Sequence, residues 1–190
     1  MTGRLAGCLE LLDGRQPIER LQPGMSEAAV AVILLPAPDR LLLIRRAVRL
    51  SDHWSGHVAL PGGRRERGDR SLLDTAIRET AEEVGISLSK CDLRGRLDDL
   101  GPMAPVITPI LVRPYIFVLD DEPQLELSGE AAAAAWVPLA AIADPTTRVV
   151  KRFRVAGTER DVPGFDLPLG FLWGMTERIV APLLAAWRRS

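Results

Sequence analysis

Residues 60–86 read LPGGRRERGDRSLLDTAIRETAEEVGI, and the rest of the chain is arranged around them. The stretch opens on a Pro-Gly-Gly bend, crosses a charged loop and enters a helical pattern in which Leu73, Ala76, Ile77, Thr80 and Val84 share one stripe. Glu79, Glu82 and Glu83 share another. Glu79 and Glu83 lie one turn apart, so their carboxylates can converge on a single hard cation. Like charges at that spacing repel, and a solvated helix face gains nothing from three of them. A divalent metal removes the objection. Ser71, with Asp74 three residues on, is a capping-box start, and Gly85 closes the helix.

Outward from this stretch toward the N-terminus, 58–60 reads as a short strand running into the glycine bend. Residues 47–57 form a polar loop with His53, Trp54 and His57, which lacks the further soft ligands a zinc site needs. Trp54 either stacks on a base or covers the sheet end. Residues 40–46, RLLLIRR, and 28–35, AAVAVILL, read as a buried antiparallel hairpin that delivers Arg45 and Arg46 to its end. Residues 1–27 read as an N-terminal extension, with a short amphipathic helix at 5–12, that packs on a single domain spanning 28–190.

Toward the C-terminus, 91–100 holds one strand and 101–109 is a proline-rich loop or irregular edge. Residues 110–119 form a strand that Pro114 marks as an edge or a bulge, and a short strand is expected around 125–127. Residues 131–139, AAAAAWVPL, fit a strand better than a helix. A short helix at 140–143, a strand at 149–155 and a final amphipathic helix over 171–187 complete the chain. Pro182 is expected to kink that helix or start a second segment.

Composition bounds the function. A chain of 190 residues, 47% hydrophobic and 26% charged, fits one globular domain with a substantial core. Its formal net charge of −1 supplies no global field to draw it to nucleic acid. Cys8 and Cys91 are too few for a disulfide framework or a zinc site, and free thiols suit a reducing compartment. No apolar run has the form of a signal peptide or a membrane span. The expectation is a cytoplasmic protein with no membrane or nucleic-acid partner; the final helix packs in cis or against a second copy as a homodimer.

The stretch 63–86 resembles the Nudix box, G-x5-E-x7-REUxEExGU with U apolar. Gly63 supplies the opening glycine, and Arg78, Glu79, Thr80, Glu82, Glu83, Gly85 and Ile86 supply the second half. Asp69 replaces the first glutamate and eight residues rather than seven separate it from Arg78, which leaves its role open; Thr80 stands where an apolar residue is usual. The resemblance implies an α/β fold, an α/β/α sandwich with a mixed β-sheet flanked by helices. It implies Mg²⁺ or Mn²⁺ held by Glu79, Glu82, Glu83 and the Gly63 carbonyl, with Arg78 orienting a glutamate. A general base from a later loop is implied at Glu130, with Glu126 as the alternative and Glu82 or Glu83 serving directly otherwise.

The segment 41–63, LLLIRRAVRLSDHWSGHVALPGG, is similar to the region preceding the box in the coenzyme A pyrophosphatase branch, as is FLWGMTERIV at 171–180 to its C-terminal helix. One residue is inserted between His53 and Gly56, and Leu60 stands for the usual Phe. This branch implies metal-dependent cleavage of the coenzyme A diphosphate into 3′,5′-ADP and 4′-phosphopantetheine. Arg45, Arg46, Arg64, Arg65 and His53 are its candidate substrate contacts, since guanidinium forks suit phosphates. The other readings are a pyrophosphatase for ADP-ribose or an oxidised nucleotide, and a nucleotide-binding regulatory module without turnover.

Overall fold

The computed structural model describes residues 3–20, 24–48, 55–101, 110–155 and 158–190. Strand β1 (Ser26–Leu35) is central because it is apolar from Ala28 onward and buried on both faces there. It runs parallel to β6 (Ile110–Val118) and antiparallel to β2 (Arg40–Arg46) and β4 (Gly62–Arg64). Strands β3 (Val58–Ala59) and β7 (Ala131–Pro138) pair with β2, and β5 (Leu93–Arg96) pairs with β6. Among the described residues these seven strands make the main, mixed sheet.

Alternation along the strands splits the core into two layers. Val32, Leu34, Leu41 and Leu43 face one layer with helices α1 (Arg4–Asp13) and α4 (Gly174–Arg189). Ala29, Ala31, Ile33, Leu42 and Ile44 face the other, which is covered by α2 (Leu72–Val84). Leu5, Cys8, Leu9 and Leu12 of α1 are buried beside Leu183 and Trp187, so α4 spends its apolar face in cis. Helix α3 (Leu139–Ala143) leads to a three-stranded antiparallel sheet of β8 (Arg148–Val155), β9 (Thr158–Leu167) and β10 (Gly170–Trp173). Among the described residues no helix is long and apolar enough to cross a membrane.

Several expectations change. Residues 171–173 belong to β10, and the last helix begins only at Gly174, whose positive φ of 67° turns the chain. Pro182 lies inside an unbroken α4. Pro114 sits in an interior strand between β1 and β5; the β5 ladder ends opposite Tyr115, and the Leu97 amide just beyond it donates to the Pro114 carbonyl at 3.0 Å, a bond that needs no proline amide. Residues 125–127 form no strand, since their backbone bonds to the end of α2 instead. The expected glycine bend is mostly strand β4. The proline-rich loop 102–109 lies outside the described residues.

Candidate active site

Helix α2 starts as its cap chemistry dictates: Ser71, in extended conformation, accepts the Asp74 amide at 3.2 Å. It ends at Gly85 with φ 74°, where a Cβ would also stand 2.8 Å from the Cβ of Glu126. The chain against that glycine is pinned to the helix end, the Glu126 amide donating to the Val84 carbonyl at 2.9 Å and the Ser128 amide to the Glu83 carbonyl at 3.1 Å. This strap brings Ser128 and Glu130 beside the last turn of α2. On the other side, β4 lays its two glycines along β1, Gly63 opposite Ala29 and Gly62 opposite Val30. A Cβ on Gly63 would meet the Glu79 carboxylate at 2.3–2.4 Å, so that carboxylate lies directly against the backbone.

Glu83 is 2% exposed, a burial the stripe pattern did not anticipate. One of its oxygens accepts the Gly62 amide at 2.9 Å, and the other stands 3.8 Å from the Arg46 guanidinium. Burial pushes its carboxyl up to about 7; the Gly62 amide and Arg46 oppose the shift, while Glu79 and Glu130 add to it. Burial raises Glu79 as well, against the pull of Arg78.

Arg78 organises the rim. Its Nε and Nη2 form a fork on the two Asp69 oxygens, each at 3.0 Å, and Nη2 also donates to the Arg64 carbonyl at 3.1 Å. Nη1 reaches Glu79 at 3.0 Å and Glu82 at 2.9 Å. Asp69 is buried and further accepts the Glu66 amide and the Thr75 hydroxyl, both at 2.9 Å. The Arg78 fork holds its carboxyl well below the usual range. Asp69 therefore anchors Arg78 from behind and does not line the cleft. Thr80 fits a buried helix position because its hydroxyl donates to the Ala76 carbonyl at 2.7 Å.

An open cleft of about 300 Å³ results, lined by Glu66, Arg78, Glu79, Glu82, Glu83, Ser128 and Glu130. Arg46 joins it through Glu83, while strand alternation sends Arg45 to the opposite face, exposed. Arg64 pairs with Ala28 on that same opposite face and contributes its carbonyl to the site. Arg65 is engaged elsewhere, by Glu27 at 2.7 Å and by the Asp69 and Arg70 carbonyls at 3.3–3.4 Å. Glu126 is exposed and outside the cleft lining. His53 and Trp54 lie outside the described residues. Glu66 and Ser128 are additions; nothing in their local sequence sets them apart, because the strap and the Asp69 turn bring them in.

The family profile of the NUDIX domain matches residues 25–156. The chain belongs to the Nudix family. An uncharacterised Nudix hydrolase, NudL, of Photorhabdus laumondii is 32% identical over 171 residues, covering 88% of each chain. An uncharacterised protein of Schizosaccharomyces pombe is 44% identical over 110 residues, 53% of this chain and 32% of its own, so the chain spans about a third of that relative. A MutT/nudix family protein from Enterococcus faecalis has the same fold, with a TM-score of 0.58 at 20% identity over 97% of this chain and 68% of that one. The NUDIX domain of Shewanella oneidensis NrtR, solved with ADP ribose, aligns with a TM-score of 0.52 at 21% identity over 69% of this chain and 82% of that one.

Among the described residues no three acidic, histidine or cysteine side chains form a ready coordination cluster. Arg78 holds Glu79 and Glu82, and the Gly62 amide holds Glu83. The donor set nevertheless fits a hard ion: five glutamates face Arg78 in the cleft, with Arg46 beside Glu83, and burial disfavours the charge on two of them. A cation relieves that repulsion.

Proposed function

We propose that the chain is a Mg²⁺- or Mn²⁺-dependent hydrolase of nucleoside diphosphate linkages, with coenzyme A or its derivatives as substrate and 3′,5′-ADP and 4′-phosphopantetheine as products. The observation that carries the hydrolytic reading is the pair Glu79, half-buried, and Glu83, buried, in an acidic cleft against the Gly62–Gly63 backbone. Coenzyme A is favoured by the similarity of 41–63 and 171–180 to the coenzyme A pyrophosphatase branch, and by the one-residue insertion in the box.

Glu79, Glu82, Glu83 and the Gly63 carbonyl would hold the cation. When bound, it supplies neutralisation of the diphosphate and acidification of water. The protein contributes the rest. Glu130, on the strap side of the cleft, accepts the proton of the attacking water as general base. Arg78, clamped by Asp69, fixes the orientation of Glu79 and Glu82. Arg46, beside Glu83, is the guanidinium assigned to a substrate phosphate, and it opposes the upward push of burial on the Glu83 carboxyl.

The test is a substrate panel of coenzyme A, ADP-ribose, NADH and oxidised dGTP, with Mg²⁺ or Mn²⁺ and with EDTA. Release of 3′,5′-ADP from coenzyme A only when metal is present supports the proposal. Faster turnover of another compound moves the substrate, activity unchanged by EDTA removes the metal mechanism, and saturable binding without turnover makes the chain a binding module.

A further inference from the structure

An antiparallel sheet that covers a core with one face ordinarily shows water a polar face on the other. The small sheet departs from this. Phe165, Leu167 and Leu172 are buried in the α4 layer. The opposite face carries Phe153, Phe171 and Trp173, each half-buried. Phe153 stacks on Phe171 with ring centroids 5.5 Å apart and planes 3° apart, and on Trp173 at 5.0 Å and 18°. His57 meets Trp173 edge-on at 4.9 Å. Gly164 makes the row possible, since a Cβ there would stand 2.6 Å from the Phe171 ring.

The row begins at the wall of the cleft. The Arg46 amide donates to the His57 carbonyl at 3.0 Å, so these residues face each other across β2 and β3. Directly opposed residues point to the same side, which puts His57 on the face where Arg46 approaches Glu83 to 3.8 Å. By this register Glu83, Arg46, His57 and Trp173 follow one another on one side of the strand pair, from carboxylate to arginine to aromatic rings. A nucleotide has the same order: a diphosphate at one end and a flat base at the other. At the far end of the row Lys151 stands over Phe171 at 4.9 Å and pairs with Asp166 at 2.7 Å, giving it a polar rim.

We propose that this aromatic face, entered over His57 and centred on Trp173, stacks the base of the nucleotide whose diphosphate occupies the acidic cleft. The proposal rests on the reading of that cleft as a nucleoside diphosphate site. Stacking on an aromatic face accepts any flat heterocycle, so the face selects for a base over a sugar or an alkyl chain and not among bases.

Calorimetric titration of the full chain with ADP and with inorganic pyrophosphate, in Mg²⁺, tests it. In Trp173→Leu the dissociation constant for ADP is expected to rise about tenfold or more, while that for pyrophosphate stays within about twofold. Trp173→Phe keeps a ring and is expected to retain most of the ADP affinity. Phe153→Leu, the next ring in the stack, gives the same reading if Trp173→Leu does not fold. ADP affinity unchanged in the leucine variants, or a wild-type protein that binds ADP no more tightly than pyrophosphate, overturns the proposal. Turnover of the substrate panel reports on the hydrolytic reading alone, so the two fail separately.

Discussion

Helices α2 and α4 cover opposite faces of the same sheet, and they obey different rules. Helix α4 has Glu177 in its first turn, Arg188 and Arg189 in its last, and a buried side of Ile179, Val180, Leu183, Leu184, Ala186 and Trp187. Its charges suit the helix dipole and its core side is apolar. Helix α2 begins correctly with Asp74 but has no basic residue in its last turn; Glu82 and Glu83 stand there, and its buried side includes Thr75, Thr80 and Glu83. Carboxylates at a helix C-terminus oppose the dipole, and burying one costs more. Charge and burial rules broken together at a cleft mark a functional site, whereas the helix that keeps those two rules serves the core.

The comparison can be broken first at Glu83. Glu83→Gln should lower turnover about 10³-fold or more while leaving the metal-free melting temperature no lower, because the amide oxygen still accepts from Gly62 and a buried charge is gone. A loss of turnover below about tenfold would make α2 an ordinary helix with a misplaced acid.

The mirror experiment is Leu183→Ala in α4, expected to cost about 2–5 kcal/mol of stability in denaturant titration while kcat of the folded fraction stays unchanged. A fall in kcat without a fall in stability would erase the division of labour between the two helices.

Stability against pH sharpens the contrast. Glu83 has a folded pKa of about 7, above the ordinary 4.5, so its contribution is fully present below pH 4.5 and is lost as pH rises through 7. Metal-free protein should lose up to roughly 3 kcal/mol across that window, and Mg²⁺ should restore stability most at the upper end. Asp69 has the opposite sign: its depressed pKa adds stability above the ordinary 3.8 that disappears only in stronger acid. Thermal melts across pH with and without Mg²⁺ separate the two carboxylates; a metal-free melting temperature that rises between pH 5 and 7.5 would contradict the burial of Glu83.

The smallest effect is expected at the rim. Asp69→Asn weakens the fork on Arg78 without touching the cleft, so kcat should fall about 10- to 100-fold with KM little changed. Equal losses in Asp69→Asn and Glu83→Gln would put Asp69 among the groups that touch the metal or substrate.

Legibility in the sequence followed how local each determinant is. The hairpin of β1 and β2 was readable because strands buried on both faces carry unbroken apolar runs, and α2 because its cap, period and closing glycine lie within one short stretch. Strand β9 was not, since Pro163-Gly164 reads as a turn; in the fold Pro163 lies opposite Val150, and Gly164 is where the Phe171 ring rests. Residues 171–173 continue the period of α4, but pairing with β9 outweighs that propensity. Of the four arginines taken together as phosphate ligands, only Arg46 reaches the cleft wall, because alternation, register and the Glu27 ion pair disperse the others.

The chain by itself determined that three glutamates lie on one helix beside a diglycine segment, because side-chain spacing on a helix is fixed by backbone geometry. Only the tertiary structure decided which of them is buried, that Asp69 acts through Arg78, and that Glu130 crosses to the same cleft. Burial and charge at those positions are set by the strap on Gly85 and the pairing of β4 with β1, contacts between segments distant in sequence that no local pattern encodes.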